Sequence, residues 1–134
     1  MIAVDTSVVV AAFASWHEGH RAAMAALARE PVIPAHVLVE SYSVLTRLPS
    51  PHTALAVVVM AFLEERFRRP PLTLPSRLWL RLLLKAAREQ VTGGAVYDAV
   101  VAATALHHGA VLLTRDRRAV RVYEKVGVSY EMVF

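Results

Sequence analysis

Gly109-Ala-Val-Leu-Leu-Thr-Arg-Asp116 is the stretch on which the fold turns. Ala110–Thr114 is a short apolar run of strand character, and Gly109 before it suits the C-cap of a helix over Tyr97–His108. Asp116 then stands ahead of a helical segment, Arg117–Val126, closed by Gly127, with a last strand over Val128–Val133. The same succession opens the chain. Met1–Val4 is an apolar run, Asp5-Thr-Ser7 resembles a helix N-cap, and a helix over Val8–Ala14 follows. A second helix is expected over Glu18–Arg29. Between these ends lie two short proline-bounded runs, Pro31–Pro34 and Pro71–Pro75, each leading into a helix. The first leads into His36–Leu48 and the second into Ser76–Gln90, with a further helix over Thr53–Phe67 between them. Five short strands separated by helices predict a parallel α/β sheet covered on both faces. Pattern alone leaves the strand order open.

Composition narrows the function. The 134 residues are 56% hydrophobic with a formal charge of +4, a size that suits one domain with a substantial core. There is no cysteine, which excludes thiol nucleophiles, disulfide scaffolds and Cys-ligated zinc or iron–sulfur sites. The longest apolar stretch, Ala54–Leu63, is about half of the ~20 residues that span a bilayer. The first residues, with Asp5 and no basic segment, do not read as a secretory signal. A soluble, cytoplasmic protein is expected.

The chain has only three aspartates: Asp5, Asp98 and Asp116. Asp5 ends the first strand and Asp116 lies just past the fourth. In open parallel sheets the functional crevice lies outside the carboxyl ends of the strands. Asp98 sits in the first turn of a helix, and helix starts of this kind face the same edge. Glu40 is one turn into a helix otherwise lined with Val, Leu and Ala, where an unpartnered Glu is uncommon. Taken singly, Asp5 reads as a turn initiator, Asp98 as an acid favoured by the helix dipole, and Asp116 as a surface partner of Arg115, Arg117 and Arg118. Together on one edge they repel one another unless a cation lies between them. Oxygen-only donors without Cys or His favour Mg²⁺ or Mn²⁺ over Zn²⁺. Such an ion can activate water and clamp a phosphoryl oxygen, which points to a metal-dependent phosphodiesterase.

Four segments carry a resemblance: Val4-Asp-Thr-Ser7, Glu40-Ser-Tyr-Ser-Val-Leu-Thr-Arg47, Ala95-Val-Tyr-Asp-Ala-Val-Val-Ala-Ala-Thr-Ala105 and Leu113-Thr-Arg-Asp-Arg-Arg-Ala119. In this order they are similar to the PIN domain, and most like the VapC toxins of prokaryotic toxin–antitoxin pairs. The resemblance covers essentially the whole chain, 1–134, as one PIN domain. It implies a three-layer α/β/α fold with a parallel five-stranded sheet in the order 3-2-1-4-5. It further implies that Asp5, Glu40, Asp98 and Asp116 match the family's acidic quartet, which binds Mg²⁺ or Mn²⁺ and cleaves RNA. Thr6 or Ser7 and Thr114 match small hydroxyl positions that orient the carboxylates or a metal-bound water. The implied partners are an RNA substrate, a cognate VapB-type antitoxin and a second copy of the chain.

Other residues are read more plainly. Arg115 and Arg117 flank Asp116 and suit RNA phosphates, as does Arg47, seven residues after Glu40. Trp16 and Trp79 are expected to pack, His17, His20 and His36 to be structural or solvated, and Tyr97 to stack on a base or line the core edge. The helix over Ala54–Leu63 is expected to be buried or to meet another subunit. A catalytically silent α/β module that sequesters an RNA or protein partner is the alternative to an enzyme. An aspartyl-phosphate phosphatase fits poorly, because Ser7 stands where its second Asp would be.

Overall fold

The computed structural model describes all 134 residues. Three regular strands, β1 (Ile2–Val4), β2 (Val111–Thr114) and β3 (Tyr130–Met132), form a parallel sheet in that spatial order. Val4 faces Leu113 across the first pair, and Thr114 faces Met132 across the second. The other two expected strands are reduced to single parallel bridges, Ala3 to Val32 and Pro34 to Leu72. Five extended segments therefore lie in the order 3-2-1-4-5, but only three of them are regular strands. Proline explains the difference. Pro31, Pro34, Pro70, Pro71 and Pro75 lack the N–H that a ladder needs, so pairing ends almost as soon as it begins. What survives is a few bonds, including Val32 N–H to Ile2 O at 2.9 Å and Ala35 N–H to Leu72 O at 2.8 Å.

Seven helices complete a three-layer α/β/α arrangement: α1 (Thr6–Phe13), α2 (His20–Leu27), α3 (Ala35–Thr46), α4 (Ala56–Arg66), α5 (Trp79–Arg88), α6 (Ala95–His107) and α7 (Arg117–Val126). α1 starts two residues earlier than its apolar pattern suggests, because Asp5 caps it directly. Ser76–Leu78 forms a tighter 3₁₀ turn ahead of α5 rather than its first α-helical turn. Gly127 ends α7 in the left-handed region at φ 93°, its N–H bonded to Tyr123 O at 2.9 Å.

The main core gathers Ala3, Val4, Leu112 and Leu113 from the sheet with Val8, Val37, Leu45, Leu63 and Tyr123 from the helices. A smaller cluster joins α5, α6 and α7 through Leu82, Val100 and Val122. Only Val59 and Leu63 of α4 are buried, while Leu55, Val57, Val58 and Met60 lie open to solvent. The two tryptophans, expected to pack, lie exposed at the surface. Trp16 stacks on His52, and Trp79 Nε1 donates to Leu74 O at 3.2 Å, so each holds a surface turn. No helix is long and apolar enough to cross a membrane.

Candidate active site

Parallel strands all end on the same side, and β1 and β2 end beside each other, so the residues that follow them meet. Asp5, directly after β1, is the hub. Its Oδ1 accepts from Ser7 N–H at 3.0 Å, from Ser7 Oγ at 2.5 Å and from Val8 N–H at 3.4 Å. Its Oδ2 accepts from Thr114 Oγ1 and from Tyr123 OH at 2.8 Å. The same hydroxyls reach across to the segment after β2. Ser7 Oγ accepts from Arg115 N–H at 2.8 Å, and Thr114 Oγ1 accepts from Asp116 N–H at 3.0 Å. Asp116 is thereby set in register with Asp5 through two side-chain bridges. Asp5 is 4% exposed. Burial pushes its carboxyl above the usual range, against the opposing pull of Ser7, Thr114 and Tyr123.

Asp116 caps α7, with Oδ1 accepting from Arg118 N–H at 2.9 Å and Ala119 N–H at 3.3 Å. Asp98 lies in the first turn of α6 and is half-buried. Its carboxyl is pushed up to about 6, by burial first and then by the charges of Asp116, Glu40 and Asp5, with His36 partly offsetting them. Glu40 on α3 holds Oε2 at 3.1 Å from His36 Nε2. The four acids thus share one electrostatic field, although no three Asp, Glu or His side chains converge closely enough to enclose an ion. Mg²⁺ characteristically takes one or two carboxylates and completes its shell with water, so an oxygen-only, over-negative rim fits it. Thr6 Oγ1 is buried beside Asp5 without a hydrogen-bond partner, one more unclaimed oxygen at this edge.

A cleft of about 690 Å³ opens here, lined among others by Thr6, Ser7, Glu40, Asp116 and Arg117. The three arginines differ. Arg117 lines the cleft with its guanidinium 5.5 Å from the Phe134 ring centroid. Arg115 lines it too but is engaged internally: one guanidinium nitrogen donates to Val133 O at 2.8 Å, and the group lies so close over Gly19 that a Cβ there would collide with it. Arg47 ends α3 and donates to Ser43 Oγ at 3.0 Å, away from the cleft lining.

One residue at this site was not singled out from sequence, and a second has a more specific place than expected. Tyr123 braces Asp5, and its place seven residues after Asp116, two helical turns along, is the signal that marks it. His36, expected to be structural or solvated, pairs with Glu40 and lies parallel to the Tyr97 ring.

Residues 2–125 match the family described as PIN domain. Over 133 residues, 99% of both chains, the sequence is 52% identical to Ribonuclease VapC40 of Mycobacterium tuberculosis. Two solved structures share the fold. VapBC2 of Rickettsia felis, bound to a DNA fragment from its promoter, matches at TM-score 0.69 and 15% identity over the full length of both chains. VapC20 of Mycobacterium tuberculosis, described as a sarcin-ricin loop cleaving toxin, matches at TM-score 0.68 and 24% identity over 90% of this chain and 94% of its own.

Proposed function

This chain belongs to the PIN-domain family, and from that premise we propose that it is a Mg²⁺- or Mn²⁺-dependent endoribonuclease, the toxin of a VapBC-type pair. The observation that carries this reading is the gathering of Asp5, Glu40, Asp98 and Asp116 at one edge, where burial first and then the charges of the other three acids raise the Asp98 carboxyl to about 6. Asp5, Glu40, Asp98 and Asp116 are the carboxylates that would hold the ion, directly or through its water shell, and Asp5, the deepest of them, is kept in place by Ser7, Thr114 and Tyr123. When bound, the ion lowers the pKa of water and stabilises charge on the phosphoryl oxygens. Arg117 meets the RNA backbone at the cleft mouth, where a guanidinium fork suits a phosphate. Relatives solved with an antitoxin point to a cognate VapB-type partner here as well.

The test is the titration of Asp98, followed through its side-chain carboxyl by NMR. Without divalent ions its midpoint is expected near 6, and added Mg²⁺ should pull it down toward the ordinary 3.8. The stability effect has a definite sign. A carboxyl raised in the folded state favours folding when protonated, and that contribution fades as pH rises from 3.8 through 6. Metal-free protein should therefore lose stability over this window, and Mg²⁺ should reverse the loss. A midpoint that ignores Mg²⁺, or RNA cleavage undiminished by EDTA, sinks the metal reading.

The exposed side chains of Leu55, Val57, Val58 and Met60 on α4 make an apolar surface that a second copy of the chain would cover. A homodimer is the expected state. Light scattering at micromolar concentration should return twice the 14.7 kDa chain mass, and a monomer mass refutes it.

A further inference from the structure

Resting on the endoribonuclease reading, we propose that the stacked pair Tyr97 and His36 is the platform for the nucleobase next to the scissile phosphate. The two rings lie 5.3 Å apart between centroids and 8° from parallel. They come from different helices, and each stands beside one of the acids. Tyr97 precedes Asp98 in the first turn of α6, and His36, on α3, holds its Nε2 at 3.1 Å from Glu40 Oε2. The pair therefore spans the gap between two corners of the carboxylate site.

Core packing does not account for Tyr97. Ala99, Val100 and Val101, which follow it, are buried, whereas Tyr97 is 55% exposed, with His36 stacked on its ring. Electrostatics favours a base as the occupant. Four acids at this edge disfavour phosphate groups, so the neighbouring nucleotide is better held through an uncharged surface. A base has an apolar face and carries no charge, and stacking on an aromatic ring accepts any of the four bases. The ligand class is thus an unpaired nucleotide of single-stranded or looped RNA. His36 is a positioning residue in this arrangement: it fixes the Tyr97 ring and ties it to Glu40.

The test is photocrosslinking of the full chain carrying Asp98→Asn, in Mg²⁺, to total bacterial RNA substituted with thiouridine. Peptide mapping is expected to find the crosslinked uridine on Tyr97. Crosslinks confined to other peptides overturn the platform and leave the nuclease reading standing, whereas no crosslink anywhere removes the nuclease reading as well. Kinetics separates stacking from a bracing role. In the otherwise native chain, Tyr97→Ala should lower kcat/KM for RNA about tenfold, the order expected for one lost base stack, chiefly through KM. Tyr97→Phe, which keeps the stacking ring, should lose far less than Tyr97→Ala, and Mn²⁺ affinity by calorimetry should stay unchanged in both variants. A loss of Mn²⁺ affinity matching the loss of activity in Tyr97→Ala would show that the pair only braces Glu40, and would overturn the proposal.

Discussion

Replacing Asp98 with Asn should reduce RNA cleavage in Mg²⁺ by about a thousandfold or more, the several kcal/mol that one metal-holding charge supplies to a phosphoryl-transfer barrier. The same change should stabilise the metal-free protein at neutral pH. The two effects have one origin. Without an ion, burial first and then the charges of Asp116, Glu40 and Asp5 hold the Asp98 carboxyl up near 6, so at pH 7 the folded chain carries an ionised group that it resists. Asn has the shape of the protonated acid and removes that repulsion. Lost activity together with a raised Tm in EDTA is a signature that a merely structural aspartate would not give, since its loss would lower the Tm. Retained activity would leave the catalytically silent binding module as the better account.

The second large effect concerns stability. Tyr123 is 1% exposed, and truncating it to Ala should cost about 3–5 kcal/mol, the range for emptying a buried aromatic site. Against a total of roughly 5–15 kcal/mol, that brings the chain close to unfolding at ambient temperature. Tyr123→Phe separates the hydroxyl from the ring. It leaves Asp5 Oδ2 with Thr114 alone and should cost about 1–3 kcal/mol, the penalty for depriving a buried polar group of a partner. Because the lost bond acts on the ionised carboxylate, the Phe penalty should shrink in acid as Asp5 is protonated. Urea denaturation at two pH values measures both. A Phe variant as stable as the native chain would mean that the 2.8 Å bond contributes nothing.

Much of this site could be read in the chain because its parts are local. An Asp directly after an apolar run caps the following helix, and both Asp5 and Asp116 do so. Gly127 marks the helix end for the same kind of reason, since its backbone conformation is costly for other residues. What escaped the sequence is long-range. The bond from Tyr123 to Asp5 joins opposite ends of the chain, and the seating of Arg115 over Gly19 depends on how the loop before α2 lies on the segment after β2. Local pattern cannot report such contacts. The apolar run in α4 left two readings open, burial or contact with another subunit, because composition cannot say what covers a face; in the single chain Val59 and Leu63 are buried and Leu55, Val57, Val58 and Met60 are exposed.

The prolines that shorten the sheet also limit how the protein can aggregate. A growing β-fibril needs an edge that offers a continuous row of N–H and C=O groups. At one edge Pro70, Pro71 and Pro75 interrupt that row around Leu72. At the other, β3 is three residues long and carries Glu131 at its centre, paired with Arg29 at 2.7 Å. Neither edge can template another strand, so a chain this rich in Val and Leu can associate through its helices without recruiting its sheet.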